Sequence, residues 1–211
     1  NGAGKTTIVK LMTRLYDPDE GRILVDGVDL KAFATADIRK HVGAIFQDFL
    51  RYSFSASDNI GVGRIEALAD RERITSAAEQ SLADPVIRRL PEGYDQMLGR
   101  TFLKGQDLSG GEWQKLAIAR AYMREAEIII LDEPTAALDA RAEAEVFQRF
   151  KTLAEGTTAV LISHRFSTVR MADRIVVLAD GGVIEAGTHA ELMVLGGRYA
   201  ELFELQAAGY R

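Results

Sequence analysis

Three short, largely apolar runs recur along this 211-residue sequence, and longer stretches with helical periodicity separate them. The runs cover residues 42–46, 128–131 and 158–162. Continuous apolar runs of this length are typical of strands buried on both faces, because helices cover both sides of a parallel sheet. The alternation therefore predicts an α/β fold with a mainly parallel sheet.

The stretch from Ser57 to Leu90 is rich in Ala, Glu and Arg and is broken by prolines, which indicates a helical subdomain inserted between two of the strands. We place this subdomain approximately at residues 48–125, and we expect the chain to return to the sheet core and C-terminal helices over 126–211. The remaining predicted elements are helices over 5–15, 109–124, 140–153 and 190–205, a strand over 22–25, and a hairpin over 174–184.

Composition excludes several classes of protein. The chain is 47% hydrophobic and 27% charged, the balance of a soluble globular domain. Its formal charge of -5 gives no general attraction to nucleic acid, so none is expected as a partner. The absence of cysteine excludes disulfides and thiolate metal sites and fits a reducing compartment. The apolar runs are far shorter than the roughly 18 residues that a spanning helix needs.

The chain opens on Asn1-Gly2-Ala3-Gly4-Lys5-Thr6-Thr7, which matches the end of the phosphate-binding loop pattern G-x-x-x-x-G-K-[ST]. In that loop, backbone N–H groups and the positive helix end hold phosphates, Lys5 reaches the β and γ phosphates, and the Thr6 hydroxyl binds Mg²⁺. A glycine turn before an ordinary helix is the alternative, since such short matches also arise by chance. The strand that delivers the loop would precede residue 1, so we expect a gap in the sheet beside 127–131 and 158–162.

Two acidic residues, Asp132 and Glu133, directly follow the apolar run Ile128–Leu131. Phosphoryl transfer needs one carboxylate near the magnesium and another that orients or deprotonates the attacking water. Ligands of open α/β sheets bind at the carboxyl ends of the strands, where these two residues would emerge. We therefore assign Asp132 to the metal and Glu133 to the water. The alternative is a strand end with solvated acids.

The segment Leu108-Ser109-Gly110-Gly111-Glu112 begins the helix predicted over 109–124. A serine hydroxyl and exposed amides at a positive helix end form a second anion site, although a serine cap with two turn glycines explains the same residues. One chain binds a single triphosphate. A second anion site therefore suggests that a nucleotide is shared between two copies of the domain.

These residues, in this order, resemble the ATPase domain of ABC transporters over essentially the whole chain, 1–211. The resemblance implies a P-loop NTPase-like fold, ATP and Mg²⁺ as cofactors, and a head-to-tail dimer in which the phosphate loop of one protomer faces Ser109, Gly110 and Gly111 of the other. It also implies three further site residues: Gln47 toward Mg²⁺ and the membrane partner, Asp139 at the dimer contact, and His164 at the γ-phosphate.

The kind of ABC protein is a separate question. Pro91-Glu92-Gly93-Tyr94-Asp95 and the run 187–192 resemble exporters whose ATPase follows a transmembrane half on the same polypeptide. The resemblance implies ATP-driven export of an unspecified substrate and a location at the cytoplasmic face of a membrane. The alternatives are a soluble ABC ATPase acting on nucleic acid or the ribosome, which filter binding would detect, and a nucleotide-binding scaffold without turnover.

Overall fold

The computed structural model describes residues 4–46, 48–101, 104–134, 140–163 and 165–208. The helices are α1 (Lys5–Met12), α2 (Thr35–His41), α3 (Ala56–Gly61), α4 (Arg71–Gln80), α5 (Asp84–Ile87), α6 (Gly110–Arg124), α7 (Ala140–Ala154), α8 (Phe166–Val169), α9 (His189–Leu195) and α10 (Arg198–Ala208). The strands are β1 (Leu24–Val25), β2 (Val28–Asp29), β3 (Val42–Ile45), β4 (Ile128–Asp132), β5 (Thr158–Ile162), β6 (Ile175–Ala179) and β7 (Gly182–Gly187).

The three apolar runs form one sheet in the order β3-β4-β5. Strands β3 and β4 are parallel, with Val42 opposite Ile128 and Ile45 opposite Leu131. This confirms the α/β class with a parallel sheet. Strand β4 has a neighbour on each side, and the Thr158 amide donates to the Glu127 carbonyl at 3.0 Å. The gap expected beside residues 127–131 is therefore wrong, because β5 occupies that side of β4.

The chain divides into two compact units, residues 1–32 with 161–211 and residues 33–160. In the second unit, helices α3, α4 and α6 pack on one another. Their shared core contains Ile60, Ile74, Leu116 and Ile118, all fully buried. Burial of each such side chain contributes about 1.5–3 kcal/mol relative to exposure, so this packing fixes α6 firmly. The subdomain boundaries at 48 and 125 remain a prediction.

In the first unit, β6 and β7 form the expected hairpin, with a turn at Asp180 and Gly181 in left-handed conformations. The tail predicted as one helical segment is instead two helices, α9 and α10. Gly196 ends α9 at φ 65°, where only glycine is unstrained. A Cβ on Gly197 would lie 2.4 Å from the Glu185 carboxylate. That carboxylate accepts the first amides of α10, from Arg198 and Tyr199, so the tail must break there.

Within the described residues, every helix is too short or too polar to cross a membrane.

Candidate functional site

The phosphate-loop pattern ends at the start of helix α1. Gly4 precedes the helix at φ 87°, a left-handed conformation that glycine adopts at no steric cost. Among the described residues no side chain caps this helix end, so the amides of the first turn, which lack an intrahelical acceptor, are available to an anion. Thr6 and Thr7 are exposed and Lys5 is half-buried. Asn1, Gly2 and Ala3 lie outside the described residues.

Strand β4 delivers the two carboxylates that the sequence singled out. Asp132 is the last residue of the strand and is only 4% exposed. Glu133 follows at φ 47°, in the left-handed region, and is partly exposed. A non-glycine residue seldom takes this conformation, and residues that do so cluster at functional sites because the surrounding structure must compensate for the strain. The turn therefore presents a second carboxylate immediately beyond the buried one.

Helix α6 begins with a capping box. The Ser109 hydroxyl accepts the amide of Glu112 at 3.3 Å, and Glu112 Oε2 accepts the Ser109 amide at 2.9 Å. Gly110 and Gly111 form the first helical positions, where their missing side chains leave the amides accessible. The 15-residue helix behind them directs its dipole toward this end. The serine cap that the sequence offered as the alternative is therefore present, and the anion site at the same residues stays a prediction.

Charged side chains surround this helix start. Arg89 Nη2 donates to Glu112 Oε1 at 3.1 Å. Asp107 accepts the Trp113 indole N–H at 3.3 Å and pairs with Arg100 at 3.0 Å. The indole hydrogen bond is the main reason that the pKa of Asp107 lies below its ordinary value, with Arg100 contributing. In the sequence, Glu112 follows Ser109 by three positions, and this spacing of serine and glutamate is typical of a capping box at the start of a helix.

A buried arginine connects α6 to the segment that follows Gln47. Arg120 is largely buried and donates from Nε to the Asn59 carbonyl at 2.7 Å, from Nη2 to Asn59 Oδ1 at 2.9 Å, and from Nη1 to the Leu50 carbonyl at 2.6 Å. Its guanidinium also lies 4.9 Å from the centre of the Tyr52 ring. Burial lowers its pKa to about 10, which leaves it charged at neutral pH.

The Asn59 side chain extends this network. Its amide nitrogen donates to the carbonyls of Tyr52 and Ser55, both at 3.0 Å, and to that of Phe54 at 3.3 Å. One arginine and one asparagine therefore bind four carbonyls of the irregular segment 50–55 and hold it against α6. Sequence reasoning missed both residues, because the signal is a tertiary contact across 61 positions.

The structure describes only some of the predicted site residues, and their roles stay a prediction. Gly4, Lys5, Thr6 and Thr7 lie together at the start of α1; Asp132 and Glu133 follow one strand; Ser109, Gly110 and Gly111 begin α6. Gln47, Asp139 and His164 lie outside the described residues. Among the residues that are described, no group of three His, Asp or Glu side chains could by itself hold a metal ion.

The sequence matches the ABC transporter family over residues 1–136. Similar curated proteins include an ATP-dependent lipid A-core flippase of Chromohalobacter salexigens, 42% identical over 98% of this chain and 35% of that protein. The subtilin transport ATP-binding protein SpaT of Bacillus subtilis is 41% identical over 92% of this chain and 31% of its own length. The mitochondrial potassium channel ATP-binding subunit of Pongo abelii is 44% identical over 98% and 28%.

A solved structure of a bacterial Atm1-family ABC exporter with ATP bound superimposes with a TM-score of 0.89 at 40% identity, covering 98% of this chain and 35% of that one. The present chain thus spans about a third of the length of the proteins it matches. The likeness extends over nearly the whole of this chain. The chain belongs to the ABC transporter family and corresponds to its ATP-hydrolysing domain.

Proposed function

We propose that this domain powers export of a substrate across a membrane, as part of an ABC exporter. The observation that carries the proposal is the match of 98% of the chain, at 40% identity, to an exporter structure that holds ATP. A lipid A-core flippase and a subtilin transport ATP-binding protein are among its relatives, which supports transport over action on nucleic acid. The transported substrate stays unspecified, since the matched region is the ATPase and not the rest of those proteins.

The start of α1 is assigned to the nucleotide phosphates. The uncapped amides behind Gly4 suit an anion, and Lys5 supplies a positive charge beside them. The preceding residues Asn1, Gly2 and Ala3 complete the loop in this assignment. The Thr6 hydroxyl and the Asp132 carboxylate are hard oxygen donors, which fit Mg²⁺ because that ion takes one or two protein ligands together with phosphates and waters. Gln47 is assigned to the same ion.

When bound, Mg²⁺ would neutralise charge on the phosphates during hydrolysis. Glu133 accepts a proton from the attacking water, and its place directly after the largely buried strand β4 limits the positions that its carboxylate can take. His164 is assigned to the γ-phosphate and to orienting Glu133. Together these roles describe a hydrolytic site in which the protein positions the water and the phosphates.

A second protomer completes the site in this proposal. The Gly110 and Gly111 amides in the first turn of α6 offer a second position for an anion, and the nucleotide bound by the same chain does not fill it in this proposal. We assign Ser109, Gly110 and Gly111 to the γ-phosphate held by the opposing protomer, and Asp139 to the contact between protomers. ATP binding then closes the dimer, and hydrolysis removes the phosphate that bridges it.

The membrane part is assigned to the same polypeptide, upstream of this domain, which would place the ATPase at the cytoplasmic face. The relatives are about three times longer than this chain, so their length leaves room for such a part. The reading frame upstream of Asn1 tests this directly: spanning segments of about 20 apolar residues support the exporter. Their absence from the whole gene would contradict the fused arrangement.

Glu133→Gln in the full-length protein tests the catalytic assignment. Glutamine has the same side-chain size as glutamate and similar backbone preferences, but its amide cannot accept the proton. ATP binding should persist while hydrolysis falls by roughly 10²–10⁴. Glu127→Gln is the matched control, because Glu127 lies at the other end of the same strand and pairs with His41 at 3.0 Å on the surface. Equal rates in Glu133→Gln and the wild type would remove Glu133 from this role.

A further inference from the structure

We propose that Arg89 is a positioning residue for the ATP-binding start of α6, where it neutralises Glu112 so that the adjacent Ser109 hydroxyl can serve a phosphate. The inference rests on the proposed function, in which Ser109 binds the γ-phosphate of the opposing protomer. Arg89 lies just beyond helix α5, and its guanidinium reaches Glu112 across 23 positions of sequence. No motif at the start of α6 includes it.

Both hydrogen bonds that Ser109 donates at this helix start go to the Glu112 carboxylate. Glu112 Oε2 accepts both the Ser109 amide and the Ser109 hydroxyl, each at 2.9 Å. A serine hydroxyl has one proton to donate. While that proton points to Glu112, it cannot point to a phosphate oxygen. Binding of a phosphate at Ser109 therefore requires the hydroxyl to exchange one anionic acceptor for another.

Charge decides how favourable that exchange is. Glu112 is an anion in the first turn of α6, so it competes with any phosphate for the same amides and hydroxyl and repels it as well. Arg89 Nη2, 3.1 Å from Oε1, binds the carboxylate oxygen that the capping box does not use. It thereby draws charge away from Ser109 and gives the start of α6 a positive group that offsets Glu112.

The pair is partly solvated, which sets the size of the effect. The Arg89 side chain is 70% exposed and that of Glu112 is 30% exposed. Exposed pairs contribute little to stability, and solvent also weakens the effect of their charge on a phosphate that binds beside them. Loss of Arg89 should therefore raise the half-saturating ATP concentration by about two- to fivefold and leave the folding of α6 intact. The increase should be smaller at high salt.

Arg88 supplies a matched control. It is the neighbouring residue, its side chain is 64% exposed, and it carries the same charge. Its guanidinium binds Asp84 at 2.7 Å instead of Glu112. Arg88→Ala therefore removes the same net charge from the same end of α5 without changing the charge at the start of α6.

The experiment measures steady-state ATP hydrolysis of the full-length transporter against ATP concentration, at low and high salt. Arg89→Ala should raise the half-saturating ATP concentration two- to fivefold at low salt with an unchanged maximal rate and an unchanged thermal midpoint, and Arg88→Ala should not. In a Glu112→Gln background, which removes the competing charge, Arg89→Ala should have no effect. With Arg89→Lys, which keeps the positive charge, the half-saturating ATP concentration should stay close to that of the wild type.

Equal half-saturation in Arg89→Ala and the wild type, or an equal shift in the Glu112→Gln background, would overturn the inference. The variant Ser109→Ala distinguishes a wrong role for Arg89 from failure of the proposed function. If Ser109→Ala impairs hydrolysis and Arg89→Ala does not, only the role of Arg89 is wrong. If Ser109→Ala has no effect on ATP dependence or rate, the start of α6 does not bind ATP and both ideas fail.

Discussion

Replacement of Arg120 by methionine should destabilise the protein more than any surface change on α6. Methionine keeps an unbranched stem near Tyr52 but removes every donor. Two acceptors of fully buried Asn59, its carbonyl and Oδ1, then lose their partner. Each buried acceptor without a donor costs about 1–3 kcal/mol. The substitution also removes the desolvation cost of the buried guanidinium, which offsets part of the total loss. We expect the free energy of unfolding to fall by about 2–4 kcal/mol.

Thermal unfolding of the purified protein, followed by circular dichroism or calorimetry, measures this loss. For a chain of this size 1 kcal/mol corresponds to about 2–4 °C, so the midpoint should fall by roughly 4–16 °C. Asn59→Ala should produce a comparable loss, and the double variant should lose much less than the sum, because both substitutions break the same network. Lys115→Met, which removes a cation from the same helix, is the control.

Two results would refute this reasoning. One is a loss below about 0.5 kcal/mol for Arg120→Met, which is the range of ordinary surface substitutions. The other is additive losses for Arg120→Met and Asn59→Ala, since independent effects would mean that the observed hydrogen bonds do not couple the two residues.

Three further outcomes follow from the structure. Lys5→Ala should weaken ATP binding itself, measured by equilibrium nucleotide titration, and an unaltered affinity would contradict the phosphate-loop assignment. Gly63→Ala should destabilise the protein, seen as a lower thermal midpoint, because its Cβ would lie 2.3 Å from the Arg120 carbonyl; an unchanged midpoint would argue against that close approach. Burial raises the pKa of Tyr122 to about 12, so the stability that its protonated form provides is complete below pH 10 and is lost as the pH rises toward 12. Tyr122→Phe removes the hydrogen bond to the Arg149 carbonyl at 2.7 Å and should make alkaline unfolding between pH 10 and 12 less steep than in the wild type; an equally steep curve would assign the transition to other groups.

Local patterns were sufficient to find the strands and the ends of the main helix. The apolar runs at 42–46, 128–131 and 158–162 became β3, β4 and β5 within one residue, because short apolar runs bounded by polar residues favour strands. Strand β4 is buried over most of its length, as expected, whereas Thr158 and Ala159 of β5 are exposed and the rest of that strand is half-buried. The prediction of a helix beginning at Ser109 holds because serine and a glutamate three positions later satisfy the helix start by themselves. Such signals lie within a few residues of the structure they produce.

The features that sequence reasoning missed depend on distant parts of the chain. The Glu185 carboxylate that receives the amides of α10 lies 13 positions before Arg198, and Arg120 acts on Asn59 from another helix. The sheet gap predicted beside residues 127–131 was wrong for a similar reason, since the order of strands is set by tertiary packing and not by any one run. The left-handed conformation of Glu133 has no local signature either, because glutamate does not favour it.

The pairing of β3 with β4 has a consequence for synthesis of the chain on the ribosome. Ile128 follows its partner Val42 by 86 positions, so β3 leaves the ribosome well before the strand it needs. At about 5–20 residues per second, that delay lasts roughly 4–17 seconds. During this interval the nascent apolar strand has an unpaired edge. The residues of α3 and α4 have also been synthesised by then, before those of their packing partner α6. A slow stretch of codons before residue 128 would lengthen this exposure and favour aggregation or capture by chaperones.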